Sequence, residues 1–179
     1  SSGGSGVATA ASLAMATLGT DTGGSIRLPA ALCGIVGLKP TYGRVSRMGA
    51  WPVSASLDTV GPMTRSVADC ALMLGTIAGY DPADPTSSRH AVPDYLATLT
   101  RSLRGLKVGV VQHPLTGYVA ADIAHALTHA RGVLQQLGME VRDVTIPMLR
   151  YSATIYTTIV SADAFNVHAP TLRQQRQAY

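Results

Sequence analysis

Ser25 is the side chain whose neighbours best equip it for chemistry. It follows Gly23-Gly24 directly and precedes an apolar stretch, residues 26–32, that reads as a short helix starting near Ser25. Small residues on that side expose the hydroxyl and leave successive backbone N–H groups turned toward one spot, a nest that stabilises negative charge at a helix start. An acyl-transfer enzyme needs such a nest beside its nucleophile, because charge develops on the carbonyl oxygen in the tetrahedral intermediate. The same Gly-rich turn also suits a phosphate, or serves only to turn the chain. A second Ser/Gly cluster, SSGGS at 1–5, precedes it, separated by a small-residue, helix-compatible run over 5–16.

Other reactive side chains have plainer readings. His125 and His129 lie four apart on an expected helix, but no glutamate sits between them and no third ligand is evident, so a solvated face is expected. Cys33 has apolar neighbours and no base nearby, which makes it a packing residue rather than a nucleophile. Asp58, in SLDTVGP, reads as a turn-fixing carboxylate, and Met63 and Met73 as core fillers.

The elements that must hold Ser25 follow from patterning. Residues 17–24 read as a turn-rich passage, and 34–48, punctuated by Gly and Pro, as short extended pieces. Ser66 with Asp69 forms a capping-box pattern that opens a helix over 67–79, with Val67, Ala71, Leu74 and Ala78 as its apolar stripe. The Pro/Asp/Ser-rich stretch 80–94 reads as a connection or boundary. Beyond it, 106–112 reads as a buried strand, 119–137 as an amphipathic helix, 140–146 as a second strand and 151–168 as a helix. Strand, helix, strand in that order is a βαβ unit with parallel strands.

Composition bounds the rest. The 179 residues are 46% hydrophobic and only 13% charged, which implies one core of ordinary size and a surface that is partly covered by further chain or a partner. The formal charge of +4 comes from scattered basic residues, with one Trp and one Phe in the chain, so no nucleic-acid footprint is present. Cys33 and Cys70, outside any CxxC spacing, read as free thiols of a reducing, cytoplasmic compartment. No apolar run approaches the ~20 residues of a membrane span, and no basic-then-apolar leader opens the sequence.

Three long stretches together resemble the amidase signature family: SSGGS at 1–5, GTDTGGSIRLPAALCGIVGLKPTYGRVSR at 19–47 and SLDTVGPMTRSVADCALML at 56–74. The likeness runs almost unbroken to about residue 88, and 89–179 fit the family's variable α/β part more loosely. The resemblance implies an α/β fold with a mixed β-sheet core flanked by helices, here a truncated single domain over 1–179. It also implies a Ser–cis-Ser–Lys triad. Position by position, the nucleophile falls on Ser25, and the bridging serine, preceded by a cis peptide bond in the family, falls on Ser1. The oxyanion hole falls on the N–H groups of Thr22, Gly23, Gly24 and Ser25, with Ser2, Asp21 and Arg27 in support.

The implied reaction is hydrolysis of a small-molecule amide without a cofactor. Ser25 attacks the amide carbon, its proton passes through Ser1 to a neutral lysine and on to the leaving amine, and water resolves the acyl-enzyme. The pattern is departed from at the lysine, which in the family lies upstream of SSGG. Lys39 and Lys107, the only lysines, match neither its motif nor its place. The expectation is therefore an amidase part without its general base, whose uncovered apolar surface favours self-association. Within the family, the glutaminase subunit of a tRNA-dependent amidotransferase is an equal reading of residues 1–65. Two others stand apart: a non-catalytic fragment, and a hydrolase in which the Ser1 α-amine is the base.

Overall fold

The structure, a computed structural model, describes residues 1–112 and 119–178. The chain divides into two compact units, one of Ser1–Leu99 with the chain from Tyr156 onward, the other of Thr100–Ile155. Both combine helices with β-sheet, the expected α/β class.

The first unit opens with helix α1 (Gly3–Ala10) and strand β1 (Ala16–Asp21), then helix α2 (Arg27–Cys33), strands β2 (Val36–Gly37) and β3 (Thr59–Thr64), and helices α3 (Val67–Ile77) and α4 (Tyr95–Thr98). Its sheet has the order β1-β3-β2, antiparallel throughout. Two sequence expectations fail here. The helix expected over 5–16 stops at Ala10, Ser12 takes φ 59°, and of the passage 17–24 read as turn-rich only 22–24 turn, while 17–21 belong to β1, paired residue for residue from Ala16↔Thr64 to Asp21↔Thr59. Pairing with β3 overrides the helical preference of short, small-residue sequence. Strand β3 falls in a stretch to which the sequence patterning assigned no element, and its Gly61-Pro62 is unusual for a central strand. Pro62 is tolerated because its carbonyl accepts from Leu38 N–H, so its nitrogen faces the same side, just past Gly37 where β2 has ended.

Helix α3 begins as expected: Ser66 accepts from Asp69 N–H at 3.1 Å and its hydroxyl donates to the Asp69 carboxylate. Cys70, Ala71 and Leu74 carry the buried face, whereas Val67 points to solvent. The stretch 80–94 is pinned rather than loose, with Asp81 and Asp84 accepting from Ser46 Oγ and Arg47 N–H. One buried apolar cluster joins Ile26, Ala30 and Met63 with Ile35 packed on it, so the residue after Ser25 is itself fully buried. Apolar surface elsewhere is open: Leu13, Met15 and Leu32 are 80, 84 and 88% exposed.

In the second unit, strands β4 (Lys107–Val111) and β5 (Glu140–Val144) pair in parallel and are joined through helix α5 (Ala121–Gln136), the βαβ unit read from the sequence. β4 is half-exposed rather than buried. A 3-10 turn at Pro147–Tyr151 leads into helix α6 (Ser152–Gln174), which belongs to the first unit from Tyr156 on. No helix of the described residues is long and apolar enough to cross a membrane.

Candidate functional site

Ser25 sits between the end of β1 and the start of α2, on a turn anchored from below by Ile26 in the core. The turn is shaped by Gly24, whose φ of 137° lies where L side chains are strained. Gly23 serves a different need: a Cβ there would stand 2.2 Å from the Tyr156 hydroxyl, so the phenol of α6 lies directly on the turn.

Asp21 ties the turn together. Its side chain is wholly buried and its two oxygens accept five hydrogen bonds. Gly24 N–H and Arg27 Nη2 reach Oδ1 at 2.7 and 2.9 Å. Ile26 N–H, Arg27 N–H and Arg27 Nε reach Oδ2 at 3.2, 3.4 and 3.0 Å. Burial pushes this carboxyl up, but Arg27 and the three backbone amides outweigh it and hold it below its ordinary value. The same pairing raises Arg27.

These bonds sort the turn's amides. Gly24 N–H is committed to Asp21 at 2.7 Å and points inward. Among the described residues, no protein acceptor meets the N–H groups of Thr22, Gly23 and Ser25. The Thr22 hydroxyl is held by Asp58 Oδ1.

The SSGGS cluster docks on the same turn. Ser2 N–H donates to Ser25 C=O at 2.9 Å, which brings Ser1 within one residue of the Ser25 backbone. The Ser2 hydroxyl accepts from Thr20 N–H at 3.0 Å and donates to Thr20 C=O at 3.2 Å. It thus imitates a neighbouring strand on the outer edge of β1. That use explains why Ser2, at the N-cap position of α1, makes no side-chain cap. Close approach makes Gly19 necessary, since a Cβ there would lie 2.8 Å from Ser2 Oγ. Thr9 and Thr17 complete the docking, their hydroxyls 2.9 Å apart.

The predicted residues Ser1, Ser2, Asp21, Thr22, Gly23, Gly24, Ser25 and Arg27 therefore share one locality. The structure adds two that the sequence reading missed or undervalued. Tyr156 is 131 positions from Ser25, with no local motif to single it out. Asp58 was read only as a turn carboxylate; it does close its own loop, accepting from Val53 and Ser54 N–H at 2.7 and 2.9 Å, but it also holds Thr22. An apolar cleft of about 390 Å³, lined in part by Met48, Trp51, Pro52 and Val60, opens beside Thr20 and Asp58. Lys39 Nζ donates to Pro40 C=O, and Lys107 begins β4 of the other unit. No group of three His, Cys, Asp or Glu among the described residues is arranged to hold a metal.

Comparison with known proteins bears on this locality. The family model described as Amidase matches residues 1–178. The A subunit of glutamyl-tRNA(Gln) amidotransferase from Roseiflexus sp. (strain RS-1) is 52% identical over 164 residues, covering 92% of this chain and 34% of that protein. Its counterpart in Trichlorobacter lovleyi is 53% identical with the same coverage. The chain thus spans about a third of the length of the curated relatives it matches. Among solved structures, the A subunit of glutamyl-tRNA(Gln) amidotransferase from Thermotoga maritima superposes with a TM-score of 0.89 at 37% identity, covering 99% of this chain and 40% of that one. A peptide amidase in complex with the competitive inhibitor chymostatin gives 0.84 at 42% identity, covering 97% and 36%.

Proposed function

Because the chain belongs to the amidase family, we propose that it carries the nucleophile region of an enzyme that hydrolyses a carboxylic amide C–N bond through an acyl-enzyme on Ser25. The observation that carries this reading is the turn at 22–25. It joins a serine to three neighbouring N–H groups that meet no protein acceptor among the described residues, on a backbone fixed by a buried carboxylate. Donors held in advance of the reaction stabilise the developing oxyanion without reorganising, and each contributes on the order of 10²–10³ in rate.

In this proposal Ser25 Oγ attacks the amide carbon and the Thr22, Gly23 and Ser25 amides receive the oxyanion. Gly24 contributes its positive φ, with its N–H spent on Asp21. Ser1 Oγ relays the proton, Ser2 fixes the SSGGS cluster on β1, and Asp21 and Arg27 hold the turn. The family's lysine base has no counterpart among residues 1–179, and we place it outside them. The reading needs no cofactor and has a small-molecule amide as substrate, in a reducing cytoplasm. Its domain is a single amidase signature domain, with the signature in 1–88 and the variable part in 89–179.

A second reading is favoured by the curated relatives, which are amidotransferase subunits of higher identity than the peptide amidase. Under it, the amide is glutamine and the ammonia passes to a partner protein. Stoichiometric co-purification of a second protein, with glutamine hydrolysed in preference to peptide amides, selects this reading over the first.

The deciding experiment treats the purified enzyme, residues 1–179 together with the polypeptide that supplies the lysine, with a fluorophosphonate probe and maps the adduct by mass spectrometry. A phosphonyl group on Ser25, lost in Ser25→Ala together with amide hydrolysis, is expected. Hydrolysis that survives Ser25→Ala overturns the proposal.

A further inference from the structure

Asp58 divides its two oxygens between two tasks. Oδ2 accepts both amides of its own loop, Val53 and Ser54 N–H, and the loop is closed again by Asp58 N–H donating to Ser54 C=O at 3.0 Å. That oxygen alone satisfies the needs of the loop. Oδ1 reaches across 36 positions to accept the Thr22 hydroxyl. Asp58 is 8% exposed, so water competes poorly for that bond.

The loop carrying Asp58 is itself clamped from another element. Asp163, on α6, accepts from the hydroxyls of Ser54 and Ser56 and from Ser56 N–H at 3.1 Å. These donors hold its carboxyl below its ordinary value. Ser54 is fully buried between the two carboxylates, giving its N–H to Asp58 and its hydroxyl to Asp163. A continuous chain of hydrogen bonds therefore runs Asp163, Ser54, Asp58, Thr22. It ends at a residue whose N–H is one of the three unmatched amides beside Ser25.

We infer that Asp58 is a positioning residue for the reaction, fixing the Thr22 amide of the oxyanion turn, and that Asp163 acts behind it by clamping the loop that carries it. The inference rests on the reading of residues 22–25 as the oxyanion turn. Neither carboxylate touches the reacting atoms. Asp21 holds the inner side of the turn through Gly24, Ile26 and Arg27, and nothing in that set constrains Thr22. Without Asp58, the first donor of the turn is tethered only by its chain neighbours.

The test is steady-state amide hydrolysis by the purified enzyme, residues 1–179 with the polypeptide that supplies the lysine, carrying Thr22→Val, Thr22→Ser, Asp163→Asn and the double variant Thr22→Val/Asp163→Asn, each with a thermal melt. Thr22→Val removes the donor at nearly constant shape. It is expected to lower kcat by about 10–10²-fold with KM within about twofold, since the displaced group acts on the transition state. Thr22→Ser, which keeps the hydroxyl, restores most of the rate. Asp163→Asn alone lowers kcat by roughly 3–10-fold, but costs nothing further in the Thr22→Val background because the link is already cut.

Wild-type kcat in Thr22→Val, a loss expressed in KM, or an Asp163→Asn effect of equal size in both backgrounds overturns the inference. Should Thr22→Val not fold, Asp163→Asn decides by itself: a kcat loss at unchanged KM supports the inference and an unchanged kcat overturns it. Ser25→Ala is run beside them. If it turns over, the oxyanion reading itself has failed and the inference falls with it; if it is dead while Thr22→Val is normal, only the positioning role has failed.

Discussion

Asp21→Asn is the substitution whose cost the structure determines most fully. Five donors converge on the two carboxylate oxygens, and a carboxamide keeps only one of them as an acceptor. If the NH₂ replaces Oδ1, Gly24 N–H loses its acceptor and meets another donor; if it replaces Oδ2, Ile26 and Arg27 N–H do. Leaving a buried N–H unmatched costs about 1–3 kcal/mol. The guanidinium adds little, because Arg27 is 53% exposed and regains water, as an exposed ion pair contributes at most about 1 kcal/mol. The sum is about 2–3 kcal/mol, which for a domain of this size lowers Tm by roughly 4–12 °C.

The same change has a pH signature. The Asp21 carboxyl is held below its ordinary 3.8, with burial opposing and Arg27 and three amides prevailing. A depressed carboxyl stabilises the fold fully above its unfolded value and loses that contribution as pH falls through its folded value. The wild type therefore melts above Asp21→Asn by a constant margin from neutral pH down to about 4, and the margin shrinks only below that. Calorimetry across that range, with fluorophosphonate labelling of Ser25 at neutral pH, reads both effects. Labelling should slow by about 10²-fold, as expected when a catalytic turn shifts by an ångström. A variant melting within about 1 °C of wild type and labelling normally would refute the argument that Asp21 holds the turn.

Two smaller predictions follow from single residues. Gly24→Ala places a side chain at φ 137°, a strain of about 1–3 kcal/mol, and should lower both Tm and the Ser25 labelling rate; equal labelling and melting in the variant would show that the turn relaxes freely. Burial pushes the Cys70 thiol up, against a weaker hydrogen bond with Thr64, and its side chain is 5% exposed. Iodoacetamide at mildly alkaline pH should therefore modify half-buried Cys33 first and reach Cys70 only on unfolding; simultaneous modification in the native protein contradicts the packing of α3.

The site was more legible in the sequence than the sheet that carries it. Ser25, Gly24 and Asp21 lie within five positions, and their residue types state their roles: a hydroxyl, a residue free to take positive φ, and a carboxylate able to receive amides. Strands β1 and β3 were hidden for a physical reason. Both carry Gly and two Thr, and β3 also carries Pro62, rather than an alternating apolar face. The second unit, by contrast, shows ordinary helix and strand periodicities, and its βαβ order could be read directly. Contacts that join distant positions left no local trace. Tyr156 on Gly23, Asp163 on Ser54 and Asp58 on Thr22 depend on the tertiary path of the chain, so no window of sequence contains them.

Those long-range contacts suggest why a turn so exposed to function can be rigid. A glycine-rich turn has little side-chain packing of its own, and Gly loses the most conformational freedom when it is ordered. Ile26, one residue past Ser25, packs into the core, and the Tyr156 phenol lies on Gly23. The residues before Ile26 are further held by polar bonds from two buried carboxylates, Asp21 within the turn and Asp58 from the loop opposite. Polar clamps suit this task better than apolar ones. They fix directions as well as positions, and they occupy Gly24 N–H, while the Thr22, Gly23 and Ser25 amides meet no protein acceptor among the described residues. The cost is that stability and chemistry share the same bonds, so substitutions at Asp21, and Thr22→Val, which leaves the buried Asp58 Oδ1 without its donor, should lower melting temperature and rate together, whereas Thr22→Ser, which keeps the hydroxyl, should change both little.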